Sequence, residues 1–80
     1  MTRIRVEVAP DRKAGGWKLG TPEDVFRYPT QREAIAAAVE WCQMEARAGR
    51  LLTLKIKRRN GTIRDERTYP RSSDPRRSRG

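Results

Sequence analysis

The sequence predicts an α+β fold, in which one long helix packs on one face of a small antiparallel sheet of three to five strands. Apolar and polar residues alternate near both ends of the chain, with the period of half-buried strands. Between them lies a stretch with helical spacing of apolar residues, and after it an Asn-Gly pair that indicates a β-hairpin. The predicted order is strand, strand, an optional short strand, helix, strand, strand.

The first strands are short and separated by turns. Apolar residues at every second position from Ile4 to Val8 predict the first strand. Trp17 and Leu19, two positions apart, predict a second strand after a glycine-containing turn. Segment 25–28 is either a third short strand or an extended approach to the helix.

The helix has a start signal and a stop signal. Thr30 and Glu33 have the spacing of a capping box, in which the threonine hydroxyl accepts from the Glu33 amide and the carboxylate reaches back to the Thr30 amide. The helix is expected to run from Gln31 to Ala48 and to stop at Gly49. Two neighbouring stripes then form a wide apolar face: Ile35, Ala38, Val39, Cys42 and Ala46, and beside them Ala34, Ala37, Trp41, Met44 and Ala48.

The hairpin follows the helix and has Asn60-Gly61 at its turn, for which we predict type I′. Its return strand carries Asp65 and Arg67 in the apolar alternation, which indicates either a bulge or an edge strand. Asp65 and its neighbour Glu66 are expected on opposite faces. The predicted core consists of Val6, Trp17, Ile35, Val39, Cys42, Leu52, Leu54 and Ile56.

Length and composition predict one compact domain, residues 1–69, and a basic tail, residues 70–80, without aliphatic or aromatic residues. Such a tail is expected to be disordered. No apolar run reaches the roughly 20 residues that span a bilayer, and the alternating N-terminus does not resemble a signal peptide. The single cysteine fits a reducing compartment, so a cytoplasmic location is expected.

The residue types argue against catalysis. The chain of 80 residues has no histidine and only one cysteine, so a structural zinc site is not expected. Cys42 lies within the apolar stripe, where burial would raise the pKa of its thiol and leave it inert. We therefore predict a protein that is not an enzyme and has no cofactor, metal or small-molecule substrate.

Positive charge is the remaining functional signal. The net charge is +9 and the pI about 11.0, which favours a polyanionic partner. We predict sequence-independent contact with the phosphate backbone of DNA or RNA by a basic hairpin and the tail. The proposed contacts are Lys55, Lys57, Arg58, Arg59, Arg64, Arg76 and Arg77.

Two alternatives remain open. The basic residues could form a solvated sheet face, with Glu7, Asp65 and Glu66 as cross-strand partners. The protein could also be a protein-interaction or homodimeric accessory module, of phage origin for example, whose charge serves solubility or an acidic partner. In that case Trp41, on the flank of the helix face, is either a cover for the core rim or the anchor of a dimer.

Three segments carry a family resemblance: Gly16-Trp17-Lys18, the helix start from Tyr28 to Ile35, and the closing stretch from Arg59 to Tyr69. Over roughly residues 4 to 70 the chain resembles a family of small bacterial and phage proteins known as a domain of unknown function. That family has a G-W-x-V strand, a T-x-x-E-A-I helix start and a D-G-x-I-x-x-E-R-T-Y hairpin. The chain departs from this pattern at Leu19, Asn60 and Lys57, where the family has valine, aspartate and often histidine. The resemblance implies a compact strand–helix–strand domain and supplies no catalytic residues.

Overall fold

Five strands and one helix follow one another in a computed structural model that describes residues 3–71. The strands lie side by side in one sheet, in the order β3-β2-β1-β4-β5. The α+β class and the order of elements are as predicted, and segment 25–28 is a strand. Their bounds are β1 Ile4–Pro10, β2 Trp17–Gly20, β3 Val25–Tyr28, α1 Gln31–Arg47, β4 Leu52–Lys57 and β5 Ile63–Tyr69.

One strand pair corrects the prediction of an antiparallel sheet. β1 and β4 are parallel, with Ile4 opposite Leu52 and Val8 opposite Ile56, so the sheet is mixed. The cause is the helical connection, because the 17 residues of α1 carry the chain back by about 25 Å along the sheet. β4 therefore starts at the end of the sheet where β1 starts. The other three pairs are antiparallel.

Both ends of α1 are capped by residues that the sequence identified. The Thr30 hydroxyl accepts from the Glu33 amide at 3.1 Å, and donates to the Glu33 carboxylate at 3.0 Å. The second of these bonds replaces the predicted contact between that carboxylate and the Thr30 amide. The helix ends at Arg47, and Gly49 follows with a φ of +93°, its amide donating to the Ala46 carbonyl at 3.0 Å. This glycine therefore terminates the helix as predicted.

The helix meets the sheet through small residues. Ala34, Ala38 and Cys42, spaced by four, are fully buried, whereas Ile35 and Val39 are only half-buried against the core. Both were predicted to belong to the core, and they lie at its margin. Small side chains let the helix lie close to the sheet, which supplies the bulk of the core. The buried sheet residues are Val6, Val8, Trp17, Leu19, Leu52, Leu54, Ile56 and Tyr69.

The β4–β5 hairpin forms where it was predicted but with a different turn. The Gly61 amide donates to the Arg58 carbonyl at 2.9 Å, and the Arg58 amide donates to the Thr62 carbonyl at 2.7 Å. Gly61 has a φ of +92°, and no residue other than glycine has a positive φ within residues 3–71. Asn60 therefore cannot belong to a type I′ turn, which needs two such residues. The bonds are those of a three-residue loop whose last position is a left-handed glycine.

β5 is both bulged and an edge strand. The register shifts between Ile56 and Lys57, which face Asp65 and Ile63, so Arg64 is the extra residue. The sequence left a bulge and an edge strand as alternatives, and both are present. The bulge changes how the two faces are populated, because Asp65 lies on the helix side of the sheet and Glu66, opposite Lys55, on the other side.

Candidate functional site

The face of the sheet turned away from α1, here called the open face, is covered mainly by charged side chains. Strand alternation and cross-strand register place on it residues from all five strands and from the chain beside β1. Basic side chains outnumber acidic ones by two to one. The basic residues are Arg3, Arg5, Lys18, Arg27, Lys55 and Lys57, and the acidic residues are Glu7, Asp11 and Glu66.

One half of the open face contains a depression of about 600 Å³, lined by Arg3, Arg5, Lys55 and Glu66 among others. Thr53 forms part of its floor and is only 8% exposed. An Arg3 guanidinium nitrogen lies 3.5 Å from the Thr53 hydroxyl, to which it donates. The long side chains of β1 and β4 thus cover the sheet and present their charges to solvent.

The other half is a depression of about 620 Å³ that includes Lys18, Arg27 and Lys57 in its lining. Two of these bases form ion pairs there. Lys57 Nζ lies 2.7 Å from a carboxylate oxygen of Glu7, and Arg27 Nε lies 2.8 Å from Asp11. The expected cross-strand pairing by Glu7 is confirmed, so part of this charge is balanced within the face.

Asp11 organises the turn after β1. Its carboxylate accepts from the Lys13 amide at 3.2 Å and from the Ala14 amide at 3.1 Å, while its other oxygen accepts from Arg27 at 2.8 Å. The Ala14 amide and the Arg27 guanidinium hold the pKa of the Asp11 carboxyl below its ordinary value. Asp11 is therefore a structural anion that fixes the turn to β3.

The basic residues of the hairpin do not form one surface. Lys55 and Lys57 lie on the open face. Arg58 folds over its own turn and donates to the Ile63 carbonyl at 3.1 Å. The guanidinium of Arg59 lies 5.5 Å from the ring centroid of Trp17, which is buried on the helix side of the sheet. The turn thus separates these four bases between different sides of the domain.

Arg64 also points to the helix side. It donates to the Gln31 side-chain oxygen at 2.9 Å, and the Gln31 amide group donates to the Lys57 carbonyl at 2.9 Å. Gln31 thus joins the start of α1 to both strands of the hairpin. Two further predicted contacts, Arg76 and Arg77, lie in the tail outside the described residues.

The sequence analysis did not identify several residues of the open face, nor the role of Gln31 beside the hairpin. Arg3 and Arg5 alternate with apolar residues, and Lys18 lies between Trp17 and Leu19, so their face could have been read from the sequence. The sequence did not reveal that β1 is a central strand next to β4. Gln31 carries no sequence signal, because its partners come from β4 and β5.

Cys42 carries the one thiol of the chain. Cys42 is fully buried, and burial, with the Glu45 carboxylate second, raises the pKa of its thiol to about 12, as predicted for an inert core cysteine. Within residues 3–71 no three His, Cys, Asp or Glu side chains group as metal ligands. In the same residues no helix combines the length and apolar character needed to cross a membrane.

Comparison with known proteins gives one match. A family model described as an uncharacterized protein conserved in bacteria (DUF2188) matches residues 6–69. The chain therefore belongs to that family, and the resemblance noted in the sequence is confirmed at the level of the family. Searches of curated proteins and of solved structures give no match.

Proposed function

We propose that this member of the bacterial DUF2188 family binds the phosphate backbone of nucleic acid, without sequence preference, through the open face of its sheet. The observation that carries the proposal is the composition of that face, where basic residues from four strands and the start of the chain converge. Neighbouring β-strands lie about 4.8 Å apart, so basic side chains from several β-strands can reach successive phosphates along one nucleic-acid strand. The net charge of +9 adds a long-range attraction.

The centre of this surface consists of Arg3, Arg5, Lys18 and Lys55, with Lys57 at its border. Glu7 already neutralises Lys57 at 2.7 Å, which reduces the contribution of this lysine to the proposed contact. Arg59 and Arg64 lie on the helix side and serve the fold. The tail residues Arg76 and Arg77 remain part of the proposal as a separable electrostatic arm.

We infer further that the preferred form is a duplex. Binding to single strands draws on aromatic rings that stack on unpaired bases. The rings of Trp17, Phe26, Tyr28 and Tyr69 belong to the helix side by strand alternation, and Trp41 is on α1. Among the described residues, then, the open face offers charge without a stacking platform. Duplex nucleic acid has the higher density of phosphates and needs no stacking.

The test is a titration with a duplex and a single strand of equal length at salt concentrations from about 50 to about 200 mM. The variant R5E/K55E replaces two basic side chains of the open face by acidic ones. The control R32E/R47E makes the same charge change, from +9 to +5, on exposed positions of α1. For duplex DNA we expect the open-face variant to reduce the slope of log K against log salt by about 2, and the control to leave it nearly unchanged.

Two results would contradict the proposal. Equal losses in both variants would show that net charge acts without a defined surface. No binding by the wild-type chain at the lower salt concentration would remove the function altogether. The further replacement R76S/R77S measures the tail, whose contribution is expected to add to that of the open face.

A further inference from the structure

The two edges of the sheet are built differently. The β5 edge carries a bulge at Arg64 and several charged side chains, which are devices that prevent a further strand from pairing. The β3 edge is a regular strand with the sequence Val-Phe-Arg-Tyr. Its one charged side chain, Arg27, is held by Asp11 at 2.8 Å. Of the two edges, only β3 is open to a further strand.

Exposed apolar side chains collect at the β3 edge. Val25 is 53% exposed, Phe26 43% and Met44 of α1 53%. Phe26 and Met44 share a depression of about 200 Å³ with Tyr28 and Trp41. Trp41 itself is half-buried against the core, so it supports this cluster from the side. The cluster extends the apolar surface from the helix onto the edge strand.

The free backbone groups of β3 can be identified from the β2–β3 ladder. The Thr21 amide donates to the Asp24 carbonyl at 2.8 Å, and Phe26 lies two positions further along the same register. Hydrogen-bonded pairs alternate in antiparallel ladders, so the amide and carbonyl of Phe26 point toward β2. Those of Val25 and Arg27 point away from the sheet, where a new strand would meet them.

We propose that the β3 edge binds the β3 edge of a second copy of this chain, antiparallel and around a two-fold axis at Phe26. In this register Val25 of each copy pairs with Arg27 of the other, and the outward amides and carbonyls form four hydrogen bonds. The two Phe26 side chains face each other in the closer, non-hydrogen-bonded pair. A register centred on Arg27 would instead oppose two like charges and bring Val25 against Pro29, which lacks an amide hydrogen.

Charge favours a second copy as the occupant. The chain is strongly basic, but the surroundings of β3 contain the acidic residues Glu23, Asp24 and Glu40 beside the two basic residues Arg27 and Lys18. In the proposed register each Arg27 pairs with Val25 of the second copy, and its charge is already balanced within its own chain by Asp11 at 2.8 Å. Self-repulsion between two basic molecules is therefore smaller at this edge than across the open face.

The contact is small. It consists of one four-residue strand and the exposed cluster, well below the roughly 1,600 Å² of a standard stable interface. A weak dimer that depends on concentration is therefore expected. It would join two sheets into one of ten strands, with both helices on one side and both open faces on the other.

Charge variants at Val25 test the register. V25E should tighten the dimer by about 2- to 30-fold in dissociation constant, since the pair with Arg27 occurs twice, and V25K should weaken it by a similar factor. The controls I63E and I63K make the same charge changes at a residue 49% exposed on the β5 edge. Sedimentation velocity over a concentration series measures association, and circular dichroism checks that each variant is folded.

Cross-linking gives a second readout. Phe26 pairs with its own copy at a Cα separation of about 4.5 Å, which a disulfide can bridge. F26C should oxidise to a covalent dimer at least about ten times faster than I63C, while the wild-type chain, whose Cys42 is buried, should form no covalent dimer under oxidation. Equal rates for the two variants, equal effects at the two edges, or a wild-type monomer up to millimolar concentration would overturn the proposal.

Discussion

Replacing Ala38 by leucine tests how closely α1 lies on the sheet. Ala38 has no exposed surface and lies in the middle of the buried row formed with Ala34 and Cys42. Leucine adds three carbon atoms at this buried contact between the helix and the sheet. Overpacking of a core typically costs about 1–3 kcal/mol.

The same change at Ala36 is the matched control, because Ala36 is exposed on the same helix. Alanine and leucine are both good helix formers, so this variant should stay within about 0.5 kcal/mol of the wild type. A domain of this size has a free energy of unfolding of roughly 3–10 kcal/mol. A loss of 2 kcal/mol at Ala38 would therefore be large and would lower Tm by roughly 8–16 °C.

Urea titration followed by tryptophan fluorescence measures the difference, since Trp17 is only 5% exposed and should report its transfer to solvent. Far-UV circular dichroism confirms that each variant retains its helix. If A38L were as stable as the wild type, or if A36L were the more damaging of the two, the face of the helix assigned to the sheet would be incorrect.

Three further predictions concern the turns and the core. Because the folded state lowers the pKa of Asp11, the stabilising effect of its carboxylate is present above the unfolded pKa of about 4 and is lost as the pH falls through the folded pKa. D11N should therefore reduce the loss of stability between pH 6 and pH 2. An unchanged loss would contradict this role of Asp11. The Cys42 thiol should react with a disulfide reagent at pH 8 only after denaturation, and fast reaction of the folded protein would show that it is not buried. G16A should destabilise more than G15A by urea denaturation: both glycines have a positive φ, but only at Gly16 would the new Cβ lie 2.7 Å from the Tyr28 carbonyl oxygen. Equal losses at the two glycines would exclude that clash.

The features that the sequence predicted well depend on neighbours in the chain. The capping residue Thr30 and the terminating Gly49 act on backbone groups within a few residues, so their patterns transfer directly to the structure. The position of the hairpin was equally local. Its turn type was not determined by Asn60-Gly61, because a three-residue loop also needs a left-handed glycine at its end and accommodates the same pair.

The rotation of α1 depended on the sheet and was harder to predict. Two adjacent apolar stripes were visible, and the larger residues Ile35 and Val39 were assigned to the core together with Cys42. The sheet already supplies large side chains such as Leu52 and Leu54, so the small residues of the helix take the central position. The volume of the side chains on the sheet thus determines which residues of the helix fit against them.

The composition of the open face was the hardest feature to predict, because its residues come from distant segments of the chain. Lys55 and Lys57 were found by alternation within one strand. Their association with Arg3 and Arg5 requires that β1 lie next to β4, which no local pattern reveals. Arg59 lies on the helix side of the sheet because its guanidinium contacts the ring of Trp17, a residue more than 40 positions earlier in the chain. Long basic side chains bind whichever partner the fold brings near them.

The parallel seam between β1 and β4 also bears on how the chain folds. The strands on either side of the seam belong to antiparallel pairs, β1–β2 and β4–β5, whose residues are close in sequence and can pair early. The seam itself joins Ile4 to Leu52, so it closes only when most of the intervening chain has been arranged. We therefore expect seam closure to limit the folding rate, as the step that joins β1, β2 and β3 to the β4–β5 hairpin.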